Sequence, residues 1–213
     1  MALQIQILID NPDSWIMPYA SELKRKLINE GHVVSIIHKH TCVSEGDILC
    51  LLACEKIFKK LKMNKHNLVV HESELPKGKG WSPVTWQVLE GKNEIPVTLF
   101  EAVNDIDAGP IYGKEYIKLK GNELLPEIKH KQGLATQKLI LDFVKKFPSL
   151  SGEQQIGEET FYPKRGVKDS KLDIKASIEE QFDLLRVCDN ERYPAYFIHR
   201  GHKYVIKIYK END

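Results

Sequence analysis

The chain has few cysteines and no cysteine pattern. Cys42, Cys50, Cys54 and Cys188 contain no Cys-x-x-Cys step, so neither a zinc ribbon nor a dithiol redox motif is expected. Cys50 and Cys54 lie in an apolar stretch and read as small buried thiols. Charge of one sign is also lacking: 31 basic residues stand against 30 acidic ones, which gives no electrostatic footprint for a long nucleic acid. No apolar run approaches the roughly 20 residues that cross a bilayer, so no membrane insertion is expected. Met1–Asp10 has no basic leader region or cleavage site and reads directly as a strand. A reduced, cytoplasmic protein is the expectation.

Ligand motifs are missing too. The loop Asp10-Asn11-Pro12-Asp13-Ser14-Trp15 has none of the glycines that let a backbone approach a pyrophosphate, and Gly78-Lys79-Gly80 is too short for a phosphate-binding loop. His38/His40 and His199/His202 have no cysteine or carboxylate at zinc-site spacing, so no metal is expected.

What is present is strand and helix in alternation. Gln4–Ile9 reads as a strand, and Met17–Glu30 as a helix stopped by Gly31. Val33–Ile37 is a second strand, and Asp47–Ala53 is apolar almost throughout, the mark of a strand buried on both faces. Leu68–His71 makes a fourth strand after a short basic helical piece. A helix at Pro83–Glu90, strands at Ile95–Ala102 and Ile111–Leu119, and a long helix at Asn122–Val144 follow. The order predicts an α/β fold with a mostly parallel, twisted, Rossmann-like sheet over residues 1–147. A linker is expected at 148–155, around Pro148-Ser149-Leu150-Ser151-Gly152. Residues 156–213 then form a small unit: a polar loop, a helix near Ser177–Cys188, and a hairpin turning at Arg200-Gly201.

One stretch carries chemistry. His71 leaves the strand Leu68-Val69-Val70 and enters Glu72-Ser73-Glu74-Leu75-Pro76-Lys77-Gly78-Lys79-Gly80-Trp81-Ser82-Pro83. Prolines stiffen this loop, its glycines permit close backbone approach, and Lys77 and Lys79 offer charge to an anionic substrate. Asp107 follows a second apolar run in Asp107-Ala108-Gly109-Pro110-Ile111. An imidazole and a carboxylate at strand ends are acid–base machinery where open α/β sheets gather ligands.

These motifs resemble the folate-dependent formyltransferases, in which His-x-Ser-x-Leu-Pro-x-x-(basic)-Gly-x-x-Pro precedes Asp-x-Gly-x-Ile. The resemblance covers residues about 5–145 and implies a Rossmann-like formyltransferase domain. It further implies that N10-formyltetrahydrofolate is the formyl donor, with no metal, that His71 is the acid–base residue and that Asp107 is its partner. The donor is expected along the strand ends at Leu51, Ala53 and Glu55 and beside Asn104 and Asp107. One departure is plain: the family's asparagine two residues before the histidine is Val69 here. Asn67 lies roughly 13 Å from His71 along an extended strand. The oxyanion then needs another donor: Ser73, protonated His71 or a backbone N–H.

Three branches differ in the amine. The methionyl-tRNA branch carries a basic RNA-binding domain that the roughly 60 residues after the linker do not match. The glycinamide ribonucleotide branch uses a glycine-rich first loop, unlike Asn11–Trp15. The sugar-nucleotide N-formyltransferases resemble the chain best, through Phe161-Tyr162-Pro163-Lys164-Arg165-Gly166-Val167-Lys168-Asp169-Ser170-Lys171-Leu172-Asp173. The implied substrate is a nucleotide-linked amino dideoxy sugar, with UDP-4-amino-4,6-dideoxy-N-acetylhexosamine favoured. Trp15, Lys77, Lys79, Gly80, Trp81, Pro83, Arg165, Arg186 and Tyr193 are its expected contacts, arginine for the diphosphate and tyrosine for base or sugar. That branch also implies a homodimer paired through late strands. A catalytically idle module that binds folate or sugar nucleotide is the rival from another class.

Overall fold

The computed structural model describes residues 1–211. Its strands are β1 (Gln4–Leu8), β2 (Val33–Ile37), β3 (Gly46–Leu51), β4 (Asn64–His71), β5 (Lys79–Gly80), β6 (Glu94–Glu101), β7 (Ile111–Lys118), β8 (Phe161–Tyr162), β9 (Ala195–His199) and β10 (His202–Ile206). Its helices are α1 (Met17–Asn29), α2 (Pro83–Leu89), α3 (Leu125–Lys146) and α4 (Phe182–Val187). Among the described residues, six strands form one sheet in the order β2-β1-β3-β4-β6-β7. The first four run parallel, while β6 and β7 are antiparallel additions at one side. The α/β architecture with a mostly parallel sheet is therefore as the residue pattern implied.

Period-two alternation explains the layers. Ile5 and Ile7 of β1, Ile48 and Cys50 of β3, and Leu68 of β4 join Leu23 and Leu27 of α1 and Leu139, Ile140 and Phe143 of α3 in the main core. The alternate residues Leu8, Leu49 and Leu51 turn to the other face, where Val43 and Phe58 cover them. Burial pushes the Cys50 and Cys54 thiols up to about 12, which suits packing rather than chemistry.

Three boundaries differ from the sequence expectation. β4 starts at Asn64 rather than Leu68, and the short basic helical piece before it is a single 3-10 turn at Leu61–Met63. α3 starts at Leu125 because Glu123 accepts hydrogen bonds from the Lys120 and Gly121 N–H groups, closing a turn instead of a first helical turn. α4 is confined to Phe182–Val187, since Gln181 ties Asp173, Ala176 and Ser177 into turns ahead of it. The 148–155 segment is docked through Leu150, Gly152, Glu153 and Gln155. Ile111 and Glu153 exchange backbone hydrogen bonds of 2.7 and 2.8 Å, and Gly152 lies flat on Pro110 and Tyr112. The β9–β10 hairpin turns at Arg200 and Gly201, both with positive φ.

Candidate active site

β4 delivers His71 to the end of the parallel half of the sheet, where it is buried. The following loop is stitched to the C-terminal unit. β5 pairs with β8, and the Gly78 N–H donates to Thr160 Oγ1 at 2.8 Å. Gly80 has no room for a side chain, since a Cβ would sit 2.6 Å from the Tyr162 carbonyl oxygen. Gly109 is tighter still, with a Cβ falling 1.7 Å from the Glu101 carbonyl oxygen.

His71 Nε2 donates to the Gly78 carbonyl at 2.8 Å. A carbonyl can only accept, so this contact places the proton on Nε2 and leaves Nδ1 as the basic nitrogen of the neutral ring. Asp107 Oδ2 lies 3.9 Å from Nε2, within ion-pair reach but beyond a hydrogen bond. The tautomer is thus set by Gly78, and Asp107 acts on the ring through charge. Asp107 itself holds a left-handed φ of 52°, a conformation that costs a non-glycine residue energy. Two contacts keep it there: the Gly80 N–H donates to Oδ2 at 3.0 Å, and Gln155 Nε2 donates to the Asp107 and Gly109 carbonyls, each at 2.9 Å.

Ser73 is buried, and its Oγ has no hydrogen-bond partner among the described residues. Val69 is half-buried against Leu8 and Leu51. Asn67 is committed elsewhere, its Nδ2 donating to the Leu61 carbonyl at 2.8 Å. Leu51 ends β3, and Ala53 takes a left-handed φ of 49° at the exposed strand end. The Glu55 and Lys56 N–H groups donate to Asp10 Oδ2 at 2.8 and 3.0 Å, and His40 Nε2 bonds Asp10 Oδ1 at 2.7 Å. Asn104 is exposed in the loop ahead of Asp107.

The expected substrate contacts divide into groups. Arg165 and Tyr193 line a cleft of about 230 Å³ together with Ser82, Thr85, Lys129 and Arg192. Arg165 lies 5.3 Å from the Trp86 ring centroid, and Trp86 stacks on Tyr162 at 6.2 Å. Trp81 is exposed beneath Lys164, whose Nζ is 4.3 Å from the ring centroid. Gly80 touches Asp107, and buried Pro83 opens α2. Lys77 lines a separate recess that it shares with Lys114 and Gln155. Trp15 packs on Tyr19 at the start of α1.

Two expected cations are engaged inside the protein. Lys79 is 2% exposed and pairs with Glu159 at 2.5 Å. Arg186 is 1% exposed, held by Asp183 at 2.6 Å with Glu123 at 4.0 Å. Both charges are neutralised by protein carboxylates, so neither is free to hold a diphosphate. Sequence reasoning passed over Gln155, hidden in a presumed linker, and Lys129 and Arg192, which no motif marks. It also passed over Glu72, which was in plain view beside His71.

No family profile matches the chain. It is 28% identical over 148 residues to the methionyl-tRNA formyltransferase of Protochlamydia amoebophila, an overlap of 67% of this chain and 46% of the relative. The chain thus spans about half the length of the curated relatives it matches. Among solved structures, the methionyl-tRNA formyltransferase from Clostridium thermocellum superposes with a TM-score of 0.83 at 18% identity, covering 99% of this chain and 94% of that one. The chain has the formyltransferase fold. A sugar N-formyltransferase from a Shewanella species shares that fold, with a TM-score of 0.72 at 15% identity and 99% coverage of both chains. HypX from Aquifex aeolicus in complex with tetrahydrofolic acid superposes with a TM-score of 0.80 at 15% identity, over 98% of this chain and 38% of that one. Among the described residues of this formyltransferase fold, no helix is long and apolar enough to cross a membrane, and no group of three or more His, Cys, Asp or Glu could hold a metal ion.

Proposed function

We propose that the chain transfers a formyl group from N10-formyltetrahydrofolate to the amine of a nucleotide-linked amino dideoxy sugar, with UDP-4-amino-4,6-dideoxy-N-acetylhexosamine as the favoured acceptor. The observation that carries the reaction class is the buried His71, protonated at Nε2 toward Gly78 and facing Asp107 at 3.9 Å, at the strand ends of a formyltransferase fold.

The residues present fit the donor. Ser73 Oγ is a buried hydroxyl with no partner beside His71, free to donate to a formyl oxygen in place of the amide that Val69 cannot supply. Leu51, Ala53, Asn104 and Asp107 would hold the folate along the strand ends. When bound, N10-formyltetrahydrofolate supplies an activated formyl carbon. The chain's own residues manage protons and charge. His71 Nδ1 takes a proton from the acceptor's nitrogen, while Gly78 and Asp107 steady the resulting imidazolium at Nε2. The ring then returns that proton on the leaving side. Removing a single oxyanion donor of the Ser73 kind costs roughly 10²–10³ in rate.

The sugar branch draws support from the Arg165–Arg192–Tyr193 cleft, which offers arginines to a diphosphate and an aromatic ring to a base or sugar, while Lys129 in its wall is paired with Asp189 at 3.2 Å. The first loop stands against the ribonucleotide reading, because Asn11-Pro12-Asp13-Ser14-Trp15 has none of that branch's glycines. The names of the sequence relatives favour a second reading, methionyl-tRNA as acceptor. Presenting UDP- and dTDP-4-amino sugars and methionyl-tRNA side by side, with the same donor and mass-spectrometric readout, tests the choice. Formylated sugar without formylated methionyl-tRNA is expected; the reverse pattern replaces the proposal with the second reading.

A further inference from the structure

Glu72 is a carboxylate for which the roles above have no use. It is half-buried where β4 ends. Its Oε1 accepts from Gln132 Nε2 of α3 at 2.6 Å, and its main-chain carbonyl accepts from Gln87 Nε2 of α2 at 2.6 Å. Two helices therefore fix this residue. Both α-helical contacts are neutral amides, and the titratable groups that face Glu72 are His71 and Asp107. Burial pushes its carboxyl up and nearby Asp107 adds to that, while His71 and the Gln132 hydrogen bond only partly offset the rise. Among the described residues no lysine or arginine pairs with it, whereas the neighbouring Glu74 has Lys114. A fixed carboxylate without a cation, one residue from the acid–base histidine, is a place for a cation that can give up a proton.

The proposed reaction creates such a cation. An aliphatic amine has a pKa of about 8–10, so near neutrality it arrives as ammonium, with no lone pair for attack. Two protons must leave the nitrogen, and His71 accounts for one of them. We propose that Glu72 binds the ammonium group of the acceptor substrate and takes its first proton. The inference rests on the formyl-transfer reading above. In this step one N–H bond breaks, its proton moves to the Glu72 carboxylate, and its electron pair stays on nitrogen as the attacking lone pair. Glu72 then releases that proton to water. The second proton is the one His71 carries, so exchange of hydrogen for formyl liberates one proton overall.

Glu72→Gln tests this, because the amide keeps an oxygen for Gln132 and loses both charge and basicity. The probes are UDP-4-amino-4,6-dideoxy-N-acetylhexosamine and dTDP-4-amino-4,6-dideoxyhexose, titrated calorimetrically into folate-free protein between about pH 6 and 9. Wild-type affinity should stay level from the pKa of Glu72 up to that of the amine. The variant should lose about tenfold per pH unit below the amine's pKa, since it takes only the neutral form, and converge with wild type above it. Gln132→Leu provides a second arm. It removes a donor that holds the Glu72 carboxyl down, so the acid limb of the binding profile should move to higher pH. Parallel profiles for wild type and Glu72→Gln, or an unmoved limb in Gln132→Leu, overturn the assignment. Formylation by the wild type is measured on the same samples. Product with parallel profiles removes Glu72 alone; no product from either sugar removes the amino-sugar reading and this inference with it.

Discussion

Replacing Asp107 by asparagine removes a charge 3.9 Å from His71 Nε2 while leaving an oxygen for the Gly80 N–H, which now bonds Oδ2 at 3.0 Å. The loop geometry should survive, so the effect isolates electrostatics. Two unit charges at that separation attract by about 4 kcal/mol at an effective dielectric of about 20. Solvent screening is modest, because the two side chains are only 9% and 14% exposed. If half of the charge on His71 has developed at the rate-limiting point, about 2 kcal/mol is lost. The expected fall in kcat is therefore between about 30-fold and 10³-fold. Single-turnover formylation of the amino sugar by wild type and Asp107→Asn measures it, with circular dichroism confirming that the variant is folded. Because the amide cannot compensate an imidazolium at any pH, the deficit should persist wherever the wild type turns over. A folded variant with a kcat within threefold of wild type would refute the charge argument and leave Asp107 as a loop residue.

Further outcomes follow from other contacts. Gln155→Ala frees the Asp107 and Gly109 carbonyls that it now bonds at 2.9 Å. It should lower kcat by up to about 30-fold, from two hydrogen bonds of about 1 kcal/mol each, with nucleotide-sugar affinity measured by calorimetry unchanged. Gly109→Ala forces a Cβ to within 1.7 Å of the Glu101 carbonyl. Thermal unfolding should show it destabilised by about 1–3 kcal/mol, the usual range for overpacking. Burial raises the Glu123 carboxyl, but Lys131 and the Lys120 N–H more than reverse that and bring it from 4.5 down to about 2. A folded pKa below the unfolded one stabilises above pH 4.5 and loses that contribution as pH falls toward 2. Over this window Glu123 should contribute about 3 kcal/mol to the loss seen in denaturant titrations, and Glu123→Gln should flatten that part of the curve by about as much.

Particular residues show what could be read from the sequence. The parallel strands were legible because Asp47–Ala53 leaves almost no polar position to face water, and because Gly31 ends a helix between the strand runs Gln4–Ile9 and Val33–Ile37. His71 and Asp107 were legible because both stand where an apolar run meets a Gly/Pro loop. The docking of 148–155 was not. Pro148, Ser149 and Gly152 have linker composition, yet Glu153 pairs with Ile111 across 42 positions of sequence. Nor was the fate of the cations: Lys79 and Arg186 look like ligands for an anion, and only the fold reveals Glu159 and Asp183 beside them. The helix expected near Ser177–Cys188 was too long because apolar Ile178, 73% exposed, belongs to a turn rather than to the buried face.

The central claim is that this chain moves a formyl group to an amino sugar by means of His71. Incubating it with ¹³C-formyl-labelled N10-formyltetrahydrofolate and UDP-4-amino-4,6-dideoxy-N-acetylhexosamine, and following the label by NMR, tests that claim most directly. The account predicts a new formamide carbon on the sugar with wild type and, with folded His71→Ala, a rate lower by at least about 10². Label that stays on the folate with wild type, or that moves equally fast with His71→Ala, contradicts it.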